Sequence, residues 1–341
     1  MGDEMVIQEH YVPQFYLRQF STNDKKTKIN VFDKRTRLVR LNQEIKKVAC
    51  ERHFYDIDWN NNDVIEYYGK QLGEKYCFDN QVLEKIFDTK FENPMSRIIT
   101  DLYSLPSVGN LNGKRVSWLN QKNKSIIAQF IASQYIRSKE SSIKTNQLFS
   151  VVEESIKNMM IGKEYSQQIT DLIESAPIYQ KNRSLQNIIT LEMIEKELTN
   201  KEIASKLLNY IFVIGYNDSD RDFVTSDNPI AIYIPGEGSS GGIFSKKSII
   251  NYPLSPKLVL ILFEKSNFKK GVSWVSNRVI LLNERLVDTM NSLQFASSYS
   301  CVFSRSNDFD FAHKMMDRIP LNFDILNYQR VTSNHITKND M

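Results

Sequence analysis

The chain has 341 residues, 41% of them hydrophobic and 25% charged, which is ordinary for a soluble globular protein and enough for one large domain or two smaller ones. Its 44 Lys and Arg against 40 Asp and Glu leave a formal net charge of +4, too little to imply a general affinity for polyanions. Cys50, Cys77 and Cys301 have neither metal-binding spacing nor the even count of a disulfide framework, and no run reaches the ~18 apolar residues of a membrane span. With Asp3 and Glu4 ahead of a short apolar run that does not resemble a signal peptide, these features predict a cytoplasmic protein with no membrane partner and leave its oligomeric state open.

The densest apolar stretch near the start is Glu9 to Ser21, EHYVPQFYLRQFS. Pro13 predicts entry into a helix, where a missing N–H costs nothing, and Tyr16, Leu17 and Phe20 then fall at helical spacing. His10 lies just before that helix. It either secures the local backbone or acts as a ligand or acid–base group aimed by a rigid neighbour. Lys28–Phe32 and Leu38–Leu41 flank Asp33-Lys34-Arg35-Thr36 and predict a β-hairpin with a basic turn. Seven basic residues between Lys25 and Arg40 read as a solvated surface in preference to a phosphate track. Val48–Ile57 predicts a third strand carrying His53 and Tyr55, and Asn60–Asn62 a loop.

Helices follow. Asp79 is the expected N-cap of a helix in which Leu83, Phe87 and Phe91 repeat every four residues, until Asn93-Pro94 ends or kinks it. Pro94 then opens a second helix with Met95, Ile98, Ile99 and Leu102. Glu84, Asp88 and Glu92 fan over one side of the first, either as a solvated face or as paired carboxylates. Lys122–Ser138 predicts a longer helix with Gln134 and Arg137 on or beside an apolar face. A buried arginine without a partner is too costly, so Arg137 should meet a carboxylate or an anion. Gln147–Met160 and Leu185–Glu197 extend the helical part, with Pro177 in a loop.

From Asn209 the period changes to that of strands. Tyr210–Tyr216, Phe223–Thr225, Ile230–Ile234, Leu258–Phe263 and Val275–Leu282 are the expected strands, followed by a helix over Glu284–Ser297 and a short strand at Cys301–Phe303. Pro235–Gly242 holds four glycines but lacks the Gly-Lys-Ser/Thr ending of a phosphate loop, so a connecting loop is expected there. In Ser226-Asp227-Asn228-Pro229, Asp227 either bonds backbone N–H groups within a turn or points into a pocket as an acid–base group or metal ligand.

His10–Phe20, HYVPQFYLRQF, resembles the N-terminal signature of a bacterial family catalogued as domain of unknown function 4238. His53-Phe54-Tyr55, Leu83-Glu84 with Glu92, and Gln134 with Arg137 are similar to later parts of that pattern. So are Thr225 to Pro229, Tyr252-Pro253-Leu254-Ser255-Pro256, and Asn291 through Val302-Phe303-Ser304. The resemblance spans His10 to Ser304. Gln14 departs from it, since the pattern implies a basic residue there. The resemblance implies residues to watch and no particular activity.

The expected fold is α+β, with an N-terminal β-hairpin and a helical middle packed on a mainly antiparallel C-terminal sheet. One domain is expected over residues 1–320, helical over about 79–200 and sheet-rich over about 209–304, with a polar tail at 321–341. The signature should lie beside the Asp227 turn. The leading functional expectation is a hydrolase or nuclease acting on phosphodiesters or nucleotides, with phage defence as its setting by analogy. His10, Glu84, Glu92 and Asp227 would be catalytic; Glu84, Glu92 and Asp227 would hold Mg²⁺ or Mn²⁺; and Arg137, Gln134 and Asn228 would bind the ligand. The alternative is a non-catalytic module that senses a small anionic ligand or a partner protein, with Arg137 as anchor. A third reading makes these residues a structural polar network.

Overall fold

A computed structural model describes residues 6–103, 108–143, 145, 178–179, 181–235, 242–265 and 273–317. Strand β1 (Gln8–His10) leads through Pro13 into the one-turn helix α1 (Gln14–Leu17). The hairpin β2 (Lys28–Asp33) and β3 (Leu38–Glu44) follows, as the alternating pattern on either side of a basic turn requires. The expected third strand contracts to β4 (Cys50–Arg52), which pairs with β1 rather than with the hairpin and sets Cys50 opposite His10. A 3₁₀ turn at Ile45–Lys47 and positive φ angles at Ala49 and His53 interrupt the extended run on both sides.

Asn60–Asn62 is a loop only as far as Asn61, whose side chain accepts from the N–H groups of Asp63 and Val64 and caps α2 (Asn62–Lys75). Asp79 is not a helix cap. Its Oδ1 accepts from Gln81 N at 3.1 Å in a tight turn just before α3 (Val82–Ile86). α3 passes through a π turn at Phe87–Glu92 into α4 (Asn93–Tyr103), so Pro94 neither ends nor breaks the run. It falls in the first turn of α4, where proline is tolerated. α5 (Gln121–Arg137), capped by Asn120, buries Ile127, Ile131 and Arg137 alike. α6 (Arg183–Asn200) and α7 (Glu202–Leu207) complete the described helical middle. The expected helix over Gln147–Met160, the Pro177 loop, residues 236–241 of the glycine-rich loop and the polar tail lie outside the described residues.

The remaining strands are β5 (Ile211–Asn217), β6 (Thr225–Ser226), β7 (Ala231–Tyr233), β8 (Ile249–Ser255), β9 (Leu258–Phe263) and β10 (Val279–Leu282). Helix α8 (Glu284–Ser297), strand β11 (Cys301–Ser304) and helix α9 (Asp310–Met316) follow. One five-stranded sheet runs β10-β5-β9-β8-β7, antiparallel except for β10 against β5. Phe212 and Ile214 of β5 enter the main core with α5 and α6, whereas Ile211 and Val213 meet Val287 and Met290 of α8 on the other face. Cover on both faces explains why β5 reads as an almost unbroken apolar run.

A second sheet runs β3-β2-β11-β6, so the hairpin is completed by a strand from the far end of the chain. α1 is packed beside it: Tyr16 and Phe20 are fully buried, and the Tyr16 hydroxyl bonds Thr225 Oγ1 at 2.6 Å. The signature therefore lies beside the Asp227 turn. The fold is α+β as expected, and no helix among the described residues is long and apolar enough to cross a membrane.

Candidate functional site

The predicted polar residues fall into two groups beside one cleft. The first surrounds Arg137, at the last turn of α5 and 1% exposed. Its Nη1 donates to Glu92 Oε1 at 2.5 Å, its Nη2 donates to the His10 carbonyl, and its guanidinium lies 4.2 Å from the Phe87 ring centroid. The expectation that this arginine finds a carboxylate is met. One turn earlier, Gln134 donates to the Tyr11 carbonyl at 2.8 Å, so α5 grips two successive carbonyls of the signature. Glu84 also bears electrostatically on Arg137, whereas Asp88 is exposed. The π turn at Phe87–Glu92 takes more residues per revolution than an α-helix, which turns Glu92 back towards the face of Glu84. Asp88, though exposed, still raises the Glu84 carboxyl.

Burial dominates the electrostatics here. It pushes the Glu84 carboxyl up to about 7 against the pull of Arg137, and its Oε2 is buried without a hydrogen-bond partner. Burial and the Arg137 charge hold His10 down to about 4, so its imidazole is neutral near pH 7. Sequence reasoning passed over Glu9, the residue beside His10. It is wholly buried, accepts the Tyr55 N–H at 2.5 Å, and is pushed up to about 8, chiefly by burial with Asp56 and Glu84 adding to it. The one sequence signal for it was a carboxylate placed immediately before the histidine that opens an apolar run. His53 lies apart, half in solvent, with Nδ1 2.7 Å from Asp56 Oδ2.

The second group is the turn after β6. Asp227 Oδ1 accepts from Tyr299 N at 2.7 Å, and Oδ2 accepts from Ser300 N, Ser300 Oγ and Cys301 N at 2.7, 2.9 and 2.8 Å. Burial pushes this carboxyl up while those bonds and the Lys34 charge pull it down. Asn228 donates to Ser297 O at 3.0 Å and to Glu140. The backbone-bonding reading of Asp227 is the one its contacts express. Among the described residues no group of three or more His, Cys, Asp and Glu side chains is placed to hold a metal ion. The expected set of Glu84, Glu92 and Asp227 does not assemble, because both oxygens of Asp227 are spent on backbone donors and Glu92 is paired with Arg137.

Between the hairpin, β4, the residue after Ser138 and the start of β11 lies a cleft of about 500 Å³. Tyr11, Val31, Ser300, Cys301 and Phe303 line it, together with Lys28, Arg35, Arg40, Lys47, Lys139, Glu44 and Glu51. Arg35 and Arg40 share Asp33, Lys28 and Lys47 share Glu44, and Lys139 meets Glu51. The lining thus holds five cations and two carboxylates, Glu44 and Glu51, while Asp33 pairs from outside it. Lys46 and Arg183, also outside it, come within 3.9 Å of Glu44 and Glu51 respectively. Against burial, which raises it, the bonds from Arg35 hold the Asp33 carboxyl below its usual range. Lys139 also stands over the rings of Tyr11 and Tyr299, at 5.9 and 5.3 Å from their centroids. The hairpin cations expected to be a plain solvated surface therefore divide. Lys28, Arg35 and Arg40 line the cleft, while Lys34 is buried and donates to Phe295 O and Ser298 O at the end of α8.

None of His10, Glu84, Glu92, Arg137 or Asp227 lines this cleft, but His10 adjoins Tyr11, which does, and Asp227 hydrogen-bonds Ser300 and Cys301, which do. Arg137 and Gln134 fix the carbonyls on either side of the His10–Tyr11 peptide, and Asp227 fixes Ser300 and Cys301. The chemistry available in the cleft is recognition of an anion by ammonium and guanidinium groups beside a tyrosine. No curated protein and no solved structure matches the chain. The model of a family described as protein of unknown function, DUF4238, matches residues 8–308, and the chain belongs to that family.

Proposed function

We propose that the protein is a ligand-sensing module that binds a small anionic ligand of the nucleotide class in the cleft between the hairpin and β4. The buried network around Arg137 and the Asp227 turn hold the walls of that cleft. One observation carries the reading: five lining cations outnumber two lining carboxylates, Glu44 and Glu51, around about 500 Å³, a volume suited to a small ligand. Calorimetric titration with nucleotides should give saturable binding that weakens with salt. It should be lost in a Lys28→Glu, Lys139→Glu double variant that still folds. Binding unchanged in that variant would refute the site.

A hydrolytic role is the second reading: burial pushes the Glu84 carboxyl up to about 7, within the range of general acid–base work. Glu84 does not line the cleft, so it would act at a substrate reaching the Arg137 network behind the cleft wall. Turnover of a nucleotide or phosphodiester that disappears in Glu84→Gln, with binding retained, would favour it over pure sensing. Phage defence has no separate support in the site.

A further inference from the structure

The cations of the cleft are not equivalent. Arg35 spends its fork on Asp33, with Nε 3.2 Å from Oδ1 and Nη2 3.1 Å from Oδ2. Arg40 meets the same carboxylate through Nη2 at 3.5 Å, which engages one of the two Nη2 hydrogens. A whole edge of the guanidinium, the other Nη2 hydrogen with its neighbouring nitrogen, is left uncommitted to it. Lys28 stands 3.8 Å from Glu44, outside hydrogen-bond range, because Lys47 holds that carboxylate at 2.9 Å. Arg40 and Lys28 are therefore the groups with donors to offer an incoming ligand, and both lie on the wall formed by the hairpin.

We propose that the cleft selects a phosphomonoester dianion, gripped by the Arg40 guanidinium in a two-pronged pair. Lys28 and Lys139 supply the further positive charge. This rests on the reading of the cleft as the ligand site and narrows it. The lining's five cations outnumber its two carboxylates, Glu44 and Glu51, and still outnumber three when Asp33 behind Arg35 and Arg40 is counted. A phosphomonoester dianion answers that positive surplus better than a singly charged phosphodiester. A planar guanidinium matches two phosphate oxygens at once, which a lysine ammonium cannot do. Val31 and Phe303, buried beneath the charged rim, offer an apolar floor to the organic part of the ester.

The test is calorimetric titration in phosphate-free buffer with inorganic phosphate, phenyl phosphate, AMP and 3′,5′-cyclic AMP. The last shares its base and sugar with AMP but has one phosphate charge. The monoesters should bind at least tenfold more tightly than cyclic AMP. Their affinity should rise with pH through the second phosphate ionisation near about 6. Arg40→Ala and Arg40→Lys should both lose tenfold or more, with circular dichroism unchanged, since the Arg40 side chain is 47% exposed. Equal affinity for AMP and cyclic AMP, or wild-type binding by Arg40→Lys, would overturn the dianion assignment while leaving the cleft as the ligand site. Failure of all four probes to bind would overturn both.

Discussion

Arg137 and Glu92 form an unequal pair: their side chains are 1% and 18% exposed, yet they meet at 2.5 Å. The guanidinium is committed to the interior, and the carboxylate is what makes that tolerable. Removing the carboxylate strands a buried cation, so Glu92→Ala is expected to cost about 3–5 kcal/mol. Glu92→Gln should cost less, because the amide oxygen still accepts. Replacing Arg137 and Glu92 together by Met and Leu should recover much of the loss. Equilibrium urea unfolding of these variants, with Arg137→Met and Glu92→Leu alone, checks this, and strictly additive losses would show the two residues uncoupled.

Asp227 accepts three backbone N–H groups and one hydroxyl. Asp227→Ala leaves buried donors without an acceptor, each worth about 1–3 kcal/mol, so a loss of roughly 3 kcal/mol or more is expected. Ser300 and Cys301 line the cleft, so nucleotide affinity should fall with stability. A variant that melts early but binds normally would separate the turn from the site.

Stability should depend on pH through Glu9 and Glu84, raised from 4.5 to about 8 and about 7 chiefly by burial. In the folded chain each keeps a proton that the unfolded chain has already released above its ordinary value. Folding therefore takes up protons across that interval, so stability is greatest at its acid end, falls as pH rises through about 7 and about 8, and is level beyond. Asp33, held low, acts in the opposite sense at more acid pH. Urea midpoints from pH 5 to 9 read the slope, which Glu9→Gln should flatten markedly. An unchanged slope in that variant would contradict the assignment.

Tyr16 joins the signature to β6 through its 2.6 Å bond to Thr225, both residues wholly buried. Tyr16→Phe keeps the ring but orphans the Thr225 hydroxyl, an expected loss of about 1–3 kcal/mol. Tyr16→Phe with Thr225→Val should be milder than the single change. Thermal melts of both variants decide it.

What the sequence revealed follows the reach of each signal. α5, the hairpin and β5 were legible because their periodicity is local, and Arg137 announced a partner because an arginine on an apolar face has few alternatives. β8 was hidden by Pro253, which argues against a central strand; the chain accommodates it at a bulge between Pro253 and Ser255. The π turn that brings Glu92 round towards Glu84 has no reliable sequence mark. Glu9 looked like flanking polarity until Tyr55, 46 positions away, supplied its donor. The cleft was the least accessible to reading, since residues 28–51, which supply the hairpin and β4 walls, meet Tyr11, Lys139 after α5 and the start of β11 only in the folded chain.

The hairpin of residues 28–44 finds its neighbour β11 only at residues 301–304. During synthesis the early strand must wait, with one edge unpaired, until residues 301–304 have left the ribosome. Closing a loop of that length comes late and slowly. The newly made protein is thus exposed to mispairing at β2, and a chaperone that shields strand edges should raise its yield more than one that merely holds apolar patches.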